Sequence, residues 1–164
     1  MLAMDGCMQK FACVVEWFDI REGEAILDAG TGTGVLLPFL RHAAGHMGMV
    51  VTMDFSINML KQAMNRQLED RITLINVGVG AIPLKSGQFD KVTCFSAFPH
   101  FPDKQRALTE MVRVLRKGDT VWIAHLQSIE ELASLHEKVG GPVHRDHLPD
   151  CATMRAINVK CRAD

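Results

Sequence analysis

Short apolar runs, often rich in β-branched residues, alternate along the chain with segments in which apolar residues recur at helical spacing. Short runs between turn-forming residues are typical of buried strands, and the longer periodic segments are typical of amphipathic helices. The predicted strands are Ala25–Leu27, Met49–Met53, Ile72–Val77, Lys91–Phe95 and Thr120–Leu126. Strands that alternate with helices favour a parallel sheet with helices packed on its faces.

The helical segments start at residues that can cap them. One predicted helix spans Met4–Phe18, and a second follows Ser56, whose side chain can cap its first turn. A third follows Asp103, continues through Leu115 and ends just before Gly118. We therefore predict an α/β fold with a Rossmann-like, doubly wound, mostly parallel sheet of five to six strands and helices on both faces.

The pattern becomes less regular after the fifth predicted strand. A polar helix is expected at Ser128–Lys138, a short helix at Ala152–Ile157 and at most a stub of strand at Val159–Cys161. We predict a single domain over residues 1–164, with a ligand-binding core at residues 1–126. Residues 127–164 are then a flap and a shortened C-terminal part.

Composition excludes several classes of protein. Lys and Arg total 18 against 19 Asp and Glu, so no basic excess indicates a nucleic-acid partner. No apolar run approaches the roughly 18 residues that a membrane span requires. The five cysteines are odd in number and lack paired spacing, which favours reduced thiols and a cytoplasmic location.

The most informative segment for function is the glycine-rich loop after the first strand, Asp28-Ala-Gly30-Thr31-Gly32-Thr-Gly34. Its glycines allow tight turns and close approach of a ligand to the main chain, and a helix is expected from Val35 onward. The amide end of that helix favours anionic groups. A dinucleotide-binding loop requires a glycine where Val35 stands, so the spacing disfavours a nicotinamide-dependent oxidoreductase.

A second acid, Asp54, directly follows the second predicted strand. Its carboxylate has two oxygens that can accept both hydroxyls of a ribose, and Phe55 beside it can lie against an adenine. Asp54 also has a simpler interpretation, as a solvated strand-end residue that supports the helix after Ser56.

The glycine motif and four later segments resemble the class I S-adenosylmethionine-dependent methyltransferases. The resemblance covers about residues 20–126 and is greatest to the small-molecule branch that includes the ubiquinone and menaquinone biosynthesis methyltransferases. The four segments are Asp54–Leu60, Gly78–Leu84, Phe89–Phe95 and Glu110–Asp119. The resemblance implies S-adenosylmethionine as cofactor and a small-molecule acceptor. The implied cofactor-binding residues are Asp28, Gly30, Thr31, Gly32, Gly34, Asp54, Phe55, Met59, Gly78, Val79, Gly80, Ala81, Phe95, Ser96 and Ala97.

The chain departs from the family pattern at three places. Relatives usually carry an acid where Val79 stands, so main-chain groups at residues 79–81 would have to contact the adenine. Asp119 replaces a turn glycine before the fifth strand. The family sheet normally has seven strands, the last two forming an antiparallel hairpin, whereas this sequence predicts five or six. The fifth strand could then be an exposed edge. A homodimer that covers it, a C-terminal segment that folds differently or a shortened gene product would each explain the number of strands.

Methyl transfer requires a nucleophile placed in line with the methyl group, and sometimes a base. His100, after the fourth strand, and His125, at the end of the fifth, are the candidate catalytic residues. Both also have structural interpretations, His100 as part of its loop and His125 as an ordinary strand-end residue. His136, His144, His147 and Cys151 can bind metal, but their spacing matches no zinc pattern, so we predict a polar flap without a metal.

The sequence therefore predicts an S-adenosylmethionine-dependent methyltransferase. Two alternatives remain, a catalytically silent protein that binds the same cofactor or its product, and an oxidoreductase.

Overall fold

A computed structural model of the chain describes residues 6–66, 71–125 and 159–162. The strands in these residues form one sheet in which every neighbouring pair is parallel. They are β1 (Ala25–Ala29), β2 (Met49–Asp54), β3 (Ile72–Asn76), β4 (Phe89–Phe95), β5 (Leu115–Ala124) and β6 (Val159–Arg162). Their order across the sheet is β3-β2-β1-β4-β5-β6. This is a doubly wound order that reverses between β1 and β4, and it confirms the predicted fold class.

The helices in the described residues are α1 (Gly6–Trp17), α2 (Leu37–Ala44), α3 (Ile57–Met64) and α4 (Lys104–Val114). A single 3₁₀ turn, Phe98–His100, follows β4. The Ser56 and Asp103 side chains cap α3 and α4 as predicted, by accepting the N–H groups of Met59 and Arg106. Helix α2 begins at Leu37, two residues later than predicted, because residues 32–36 form turns.

Alternate side chains of each strand point to opposite faces of the sheet, and a separate apolar cluster covers each face. Ile26 packs in the cluster that contains residues of α1 and α2, whereas Leu27 packs in the cluster that contains residues of α4. Met111 and Leu108 provide the buried face of α4. A fully buried side chain of this size contributes about 1.5–3 kcal/mol through the hydrophobic effect. The prediction of helices on both faces is therefore confirmed.

The start of β5 differs from the prediction. Helix α4 ends at Val114, and Leu115 adopts an extended conformation and pairs with Phe89 at the start of β4. The register then shifts, so that Lys91 pairs with Thr120 and the residues between Leu115 and Thr120 form an irregularity in the strand. The prediction that the helix continues through Leu115 is wrong, because Leu115 pairs with Phe89 in the sheet and is extended instead of helical.

The structure also shows what covers the other edge of β5. The predicted stub at Val159–Cys161 is strand β6, and it pairs with β5 in parallel from Val121 to Ala124. Strand β5 is therefore an interior strand in the described part of the chain, and a C-terminal segment covers the edge that the sequence left open. An uncovered edge of β5, which was the reason for considering a homodimer, is absent in the described residues.

The predictions for Ser128–Lys138, Ala152–Ile157 and the histidine-rich segment that contains His136, His144, His147 and Cys151 lie outside the described residues. Among the helices that the structure describes, none is both long and apolar enough to cross a membrane.

Candidate functional site

The glycine loop lies at the carboxyl end of β1, beside the point where the strand order reverses. Ligands of doubly wound sheets bind in the crevice at this point. The N–H groups of Gly30 and Thr31 both donate to the Met53 carbonyl of β2, at 2.9 and 3.1 Å. Gly34 N–H donates to the Thr31 carbonyl at 3.0 Å, which closes the turn.

The three glycines of the loop have positive φ angles, but their surroundings differ. A Cβ at Gly30 would lie 2.5 Å from the Ala97 Cβ, and one at Gly34 would lie 2.8 Å from the Ala63 Cβ. At these two positions glycine lets the loop pack against the protein itself. A Cβ at Gly32 would meet nothing within 4 Å. Gly32 is therefore the loop residue with open space beside it.

Asp54 links the glycine loop to the start of α3. Its Oδ2 accepts the Gly32 N–H at 2.9 Å, and its Oδ1 accepts the Ser56 N–H at 2.8 Å. The residue is only 8% exposed, so it is not the solvated strand-end acid of the simpler interpretation, although it does support the start of the helix. A carboxylate offers about four lone-pair positions, and these two bonds leave acceptor capacity on each oxygen.

Hydrophobic side chains next to Asp54 are exposed. Phe55 is 76% exposed, and Ile57 and Met59 are also substantially exposed. The Asn76 side chain donates to the carbonyls of Asp54 and Phe55, at 2.9 and 3.0 Å, and so fixes the main chain here. An exposed aromatic ring on a fixed main chain beside a carboxylate can stack on a nucleoside base.

Asp28 lies beneath the loop and is 2% exposed. Its two carboxylate oxygens accept hydrogen bonds from Thr52 and Thr93, each at 3.1 Å, across the neighbouring strands. Burial raises the pKa of Asp28 above its ordinary value, and the threonine hydrogen bonds only partly offset this effect. The structure therefore places Asp28 in a buried polar row across β2, β1 and β4.

The structure shows which way Val79 faces in the segment after β3. Its side chain is 7% exposed and packs in the core cluster on the α4 face, so an acid at this position would be buried among apolar groups. Gly78 is exposed, and a Cβ there would meet nothing within 4 Å. The position that faces open space in this segment is therefore Gly78, not Val79. Gly80 is half-buried and Ala81 is exposed.

The loop after β4 lies against the glycine loop through the contact of Ala97 with Gly30. Ser96 has a φ angle of 53°, which is unusual for a residue with a side chain, and its N–H donates to the Ala124 carbonyl at 2.9 Å. Such strained residues cluster at functional sites. Phe95, in contrast, turns toward α1 and contacts the Phe11 ring edge-on.

The two candidate catalytic histidines have different environments. His100 ends the 3₁₀ turn after β4 and is exposed. His125 directly follows β5 and is 4% exposed. The Ala124 carbonyl accepts the Ser96 N–H of the loop after β4. His125 therefore directly follows a residue that contacts this loop.

The structure also reveals a function for charged residues that the sequence showed only as part of a helix. Arg106, Glu110 and Arg113 of α4 all bond to the main chain of residues 80–84. A signal was present, because Glu110 and Arg113 are oppositely charged and three residues apart, a spacing that brings them together on a helix.

Comparison with known proteins agrees with this geometry. A family model described as a methyltransferase domain matches residues 26–118. The ubiquinone/menaquinone biosynthesis C-methyltransferase UbiE of Hahella chejuensis is 34% identical over 103 residues, which are 60% of this chain and 41% of that protein. The demethylmenaquinone methyltransferase of Oceanobacillus iheyensis is 32% identical over 106 residues, which are 63% of this chain and 44% of that protein. The chain thus spans less than half the length of these curated relatives.

Solved structures show the same fold. A SAM-dependent methyltransferase from Aquifex aeolicus superposes with a TM-score of 0.61 at 27% identity, covering 65% of this chain and 58% of that one. The YcgJ protein of Bacillus subtilis superposes with a TM-score of 0.70 over 91% of this chain and 65% of its own, at 18% identity, which supports the fold alone. Since the family model covers more than half of the 164 residues, the chain belongs to the methyltransferase-domain family, within the class I S-adenosylmethionine-dependent methyltransferases.

Proposed function

We propose that this chain binds S-adenosylmethionine at the carboxyl ends of β1, β2 and β4 and transfers its methyl group to a small-molecule acceptor. The observation that carries the proposal is the Asp54 carboxylate, which is held by Gly32 and Ser56 and keeps acceptor capacity for two ribose hydroxyls. Open space beside Gly32 and Gly78 leaves room for a ligand at both of these glycines.

The residues present fit this cofactor. Asp54 would accept from the ribose, Phe55 and Met59 would contact the adenine, and the exposed main chain at Gly78–Ala81 would meet its edge. Gly30, Thr31, Gly32 and Gly34 would approach the amino-acid part of the cofactor with Asp28 beneath them. Ser96 and Ala97, with the main chain of Phe95, would complete the wall on the β4 side. When bound, the cofactor supplies a methyl group already activated on a positively charged sulfur.

The protein must position the acceptor and, for some acceptors, remove a proton. The exposed His100 is suited to pass a proton to solvent, whereas His125 is shielded from it. We propose His100 as proton acceptor and His125 as part of the acceptor wall.

The names of the curated relatives support a small-molecule acceptor, so demethylated quinols are the first compounds to test. The near balance of 18 basic and 19 acidic residues supports an acceptor other than nucleic acid. The free thiols of Cys13 and Cys94 in the described residues support a cytoplasmic location.

Calorimetric titration of the purified protein with S-adenosylhomocysteine tests the cofactor site. We expect micromolar binding to the wild type and binding about 100-fold weaker to Asp54→Ala, since a hydrogen bond to a charged group contributes about 1.5–3 kcal/mol. Asp90→Ala is the matched control, because it removes a carboxylate that accepts a main-chain N–H at the opposite end of the sheet.

NAD is the competitor in the same titration, and it should not displace S-adenosylhomocysteine. Equal affinity of wild type and Asp54→Ala, or displacement by NAD, would contradict the proposed site. Transfer of a labelled methyl group to the quinols then separates an enzyme from a protein that only binds the cofactor.

A further inference from the structure

One face of α4 holds the segment that follows β3. Glu110 Oε2 accepts the Ile82 N–H at 2.8 Å, and Arg113 donates to the carbonyls of Ile82 and Leu84, each at 2.8 Å. One turn earlier, Arg106 Nε donates to the Gly80 carbonyl at 2.6 Å. Side chains of one helix thus fix both the N–H and the carbonyl of the same residue, Ile82.

Glu110 and Arg113 also bind each other in a two-pronged ion pair. Arg113 Nε lies 2.7 Å from Glu110 Oε1, and Nη2 lies 2.8 Å from Oε2. Both side chains are partly buried. The hydrogen bond from Arg113 holds the pKa of Glu110 below its ordinary value. A planar guanidinium can make this pair and reach two carbonyls, whereas a lysine ammonium cannot.

The segment that these residues hold has little side-chain chemistry of its own. Gly78 and Gly80 have no side chain, Ala81 has only a methyl group, and Val79 points into the core. A polar group of a ligand at this segment can therefore bond only to main-chain N–H and carbonyl groups. Two glycines in four residues also make the main chain conformationally permissive, so its position must be fixed from outside.

We propose that Glu110 and Arg113 are positioning residues that fix the main chain of residues 78–82 for recognition of the purine edge of the cofactor. The assignment rests on the proposed function. It explains why an ion pair of α4, away from the glycine loop, bonds to the main chain of this segment rather than only to solvent and to each other.

Discrimination between two nucleosides provides the test. The probes are S-adenosylhomocysteine and S-inosylhomocysteine, in which an oxo group replaces the 6-amino group of the purine. The variants are Arg113→Lys and Glu110→Gln. Arg116→Lys is the matched control, because Arg116 pairs with Asp90 at the other end of the sheet. Binding constants come from calorimetry, and thermal unfolding confirms that each variant is folded.

We expect the wild type and Arg116→Lys to bind the adenosine compound at least about tenfold more tightly than the inosine compound. That ratio should fall toward one in Arg113→Lys and Glu110→Gln, since the two compounds differ only at the purine edge. A merely structural function of the pair would weaken both compounds equally and leave the ratio unchanged.

Hydrogen exchange gives a second readout that requires no ligand. The Ile82 amide should exchange at least about tenfold faster in Glu110→Gln and in Arg113→Lys than in the wild type, while the amide of Val92 in the core strand β4 should keep its wild-type rate.

Either of two results would overturn this assignment and leave the proposed function standing. One is a wild-type ratio of the two nucleoside affinities in both folded variants, and the other is an unchanged exchange rate of the Ile82 amide. A wild-type protein that binds neither nucleoside would overturn the proposed function and this assignment together.

Discussion

The two ends of the parallel sheet use their charged groups differently. At the amino end, Asp90 accepts the Ala25 N–H at 2.7 Å and pairs with Arg116. In the same region, Lys91 Nζ lies 3.9 Å from Glu24 Oε1. These acids and bases therefore bind one another or the main-chain N–H of Ala25 at the start of β1.

At the carboxyl end, Asp54 binds only main-chain N–H groups and has no basic partner among its hydrogen bonds in the described residues. A largely exposed phenylalanine stands beside it, and open space adjoins Gly32 and Gly78. Left-handed residues do not distinguish the ends, because Asp19 and Arg71 also have positive φ angles away from the site. The difference lies in the acceptor capacity that the Asp54 carboxylate keeps, which is what we expect of a ligand site.

The largest expected effect is a difference in the free energy of unfolding between alanine variants of two glycines. These glycines have similar φ angles and lie at opposite ends of the sheet. Gly30→Ala would add a Cβ 2.5 Å from the Ala97 Cβ, whereas Gly87→Ala would place one 3.9 Å from its nearest neighbour. Both variants carry strain of about 1–2 kcal/mol from the left-handed backbone. Overpacking adds about 1–3 kcal/mol to Gly30→Ala alone. Urea denaturation measures both free energies of unfolding, and equal losses would contradict the close packing of the two loops.

An intermediate effect concerns pH at the amino end. Burial alone would raise the pKa of Asp90, but the hydrogen bond from Ala25 and the pairing with Arg116 outweigh it and lower the pKa. Because the folded-state pKa is depressed, this contribution is present above the unfolded-state pKa and is lost as the pH falls through the folded-state value. Asp90→Asn should therefore cost about 1–2 kcal/mol at pH 7.

The same variant should flatten the loss of stability below about pH 4. Denaturation midpoints at pH 3 to 7 check this profile, and a variant curve parallel to that of the wild type would exclude the contribution. Its affinity for S-adenosylhomocysteine should stay at the wild-type value.

The smallest expected effect compares two exposed apolar residues. Phe55 is 76% exposed at the carboxyl end, and Met47 is 80% exposed near the amino end. Replacing either one with Ser should change the free energy of unfolding by less than about 0.5 kcal/mol. Phe55→Ser should weaken S-adenosylhomocysteine about threefold to tenfold through lost stacking, and Met47→Ser should leave it unchanged. Equal affinities in calorimetry would remove Phe55 from the site.

The alternation of apolar runs and helical segments was sufficient to predict the fold class, and the glycine spacing with Asp28 and Asp54 predicted a site at the carboxyl end of the sheet. These features are local, because positive φ angles, caps and alternating apolar residues depend on neighbouring residues in the chain. The burial of the Val79 side chain could not be predicted, because sequence does not show which side of an irregular segment faces the core. The start of β5 was missed because pairing of Leu115 with Phe89 overrides a continuing helical pattern.

By itself, the sequence determined the order of strands and helices, the two N-caps, and the glycine loop with an acid on each side. Only the tertiary structure decided what each polar group does. Asp28 lies buried in an interior strand, where two threonines of the neighbouring strands donate to its carboxylate. The Asp54 carboxylate connects the glycine loop to the start of α3, and Glu110 and Arg113 bond to the main chain of the segment after β3. These functions depend on partners distant in sequence, which residue spacing cannot reveal and packing of the sheet against α4 brings together.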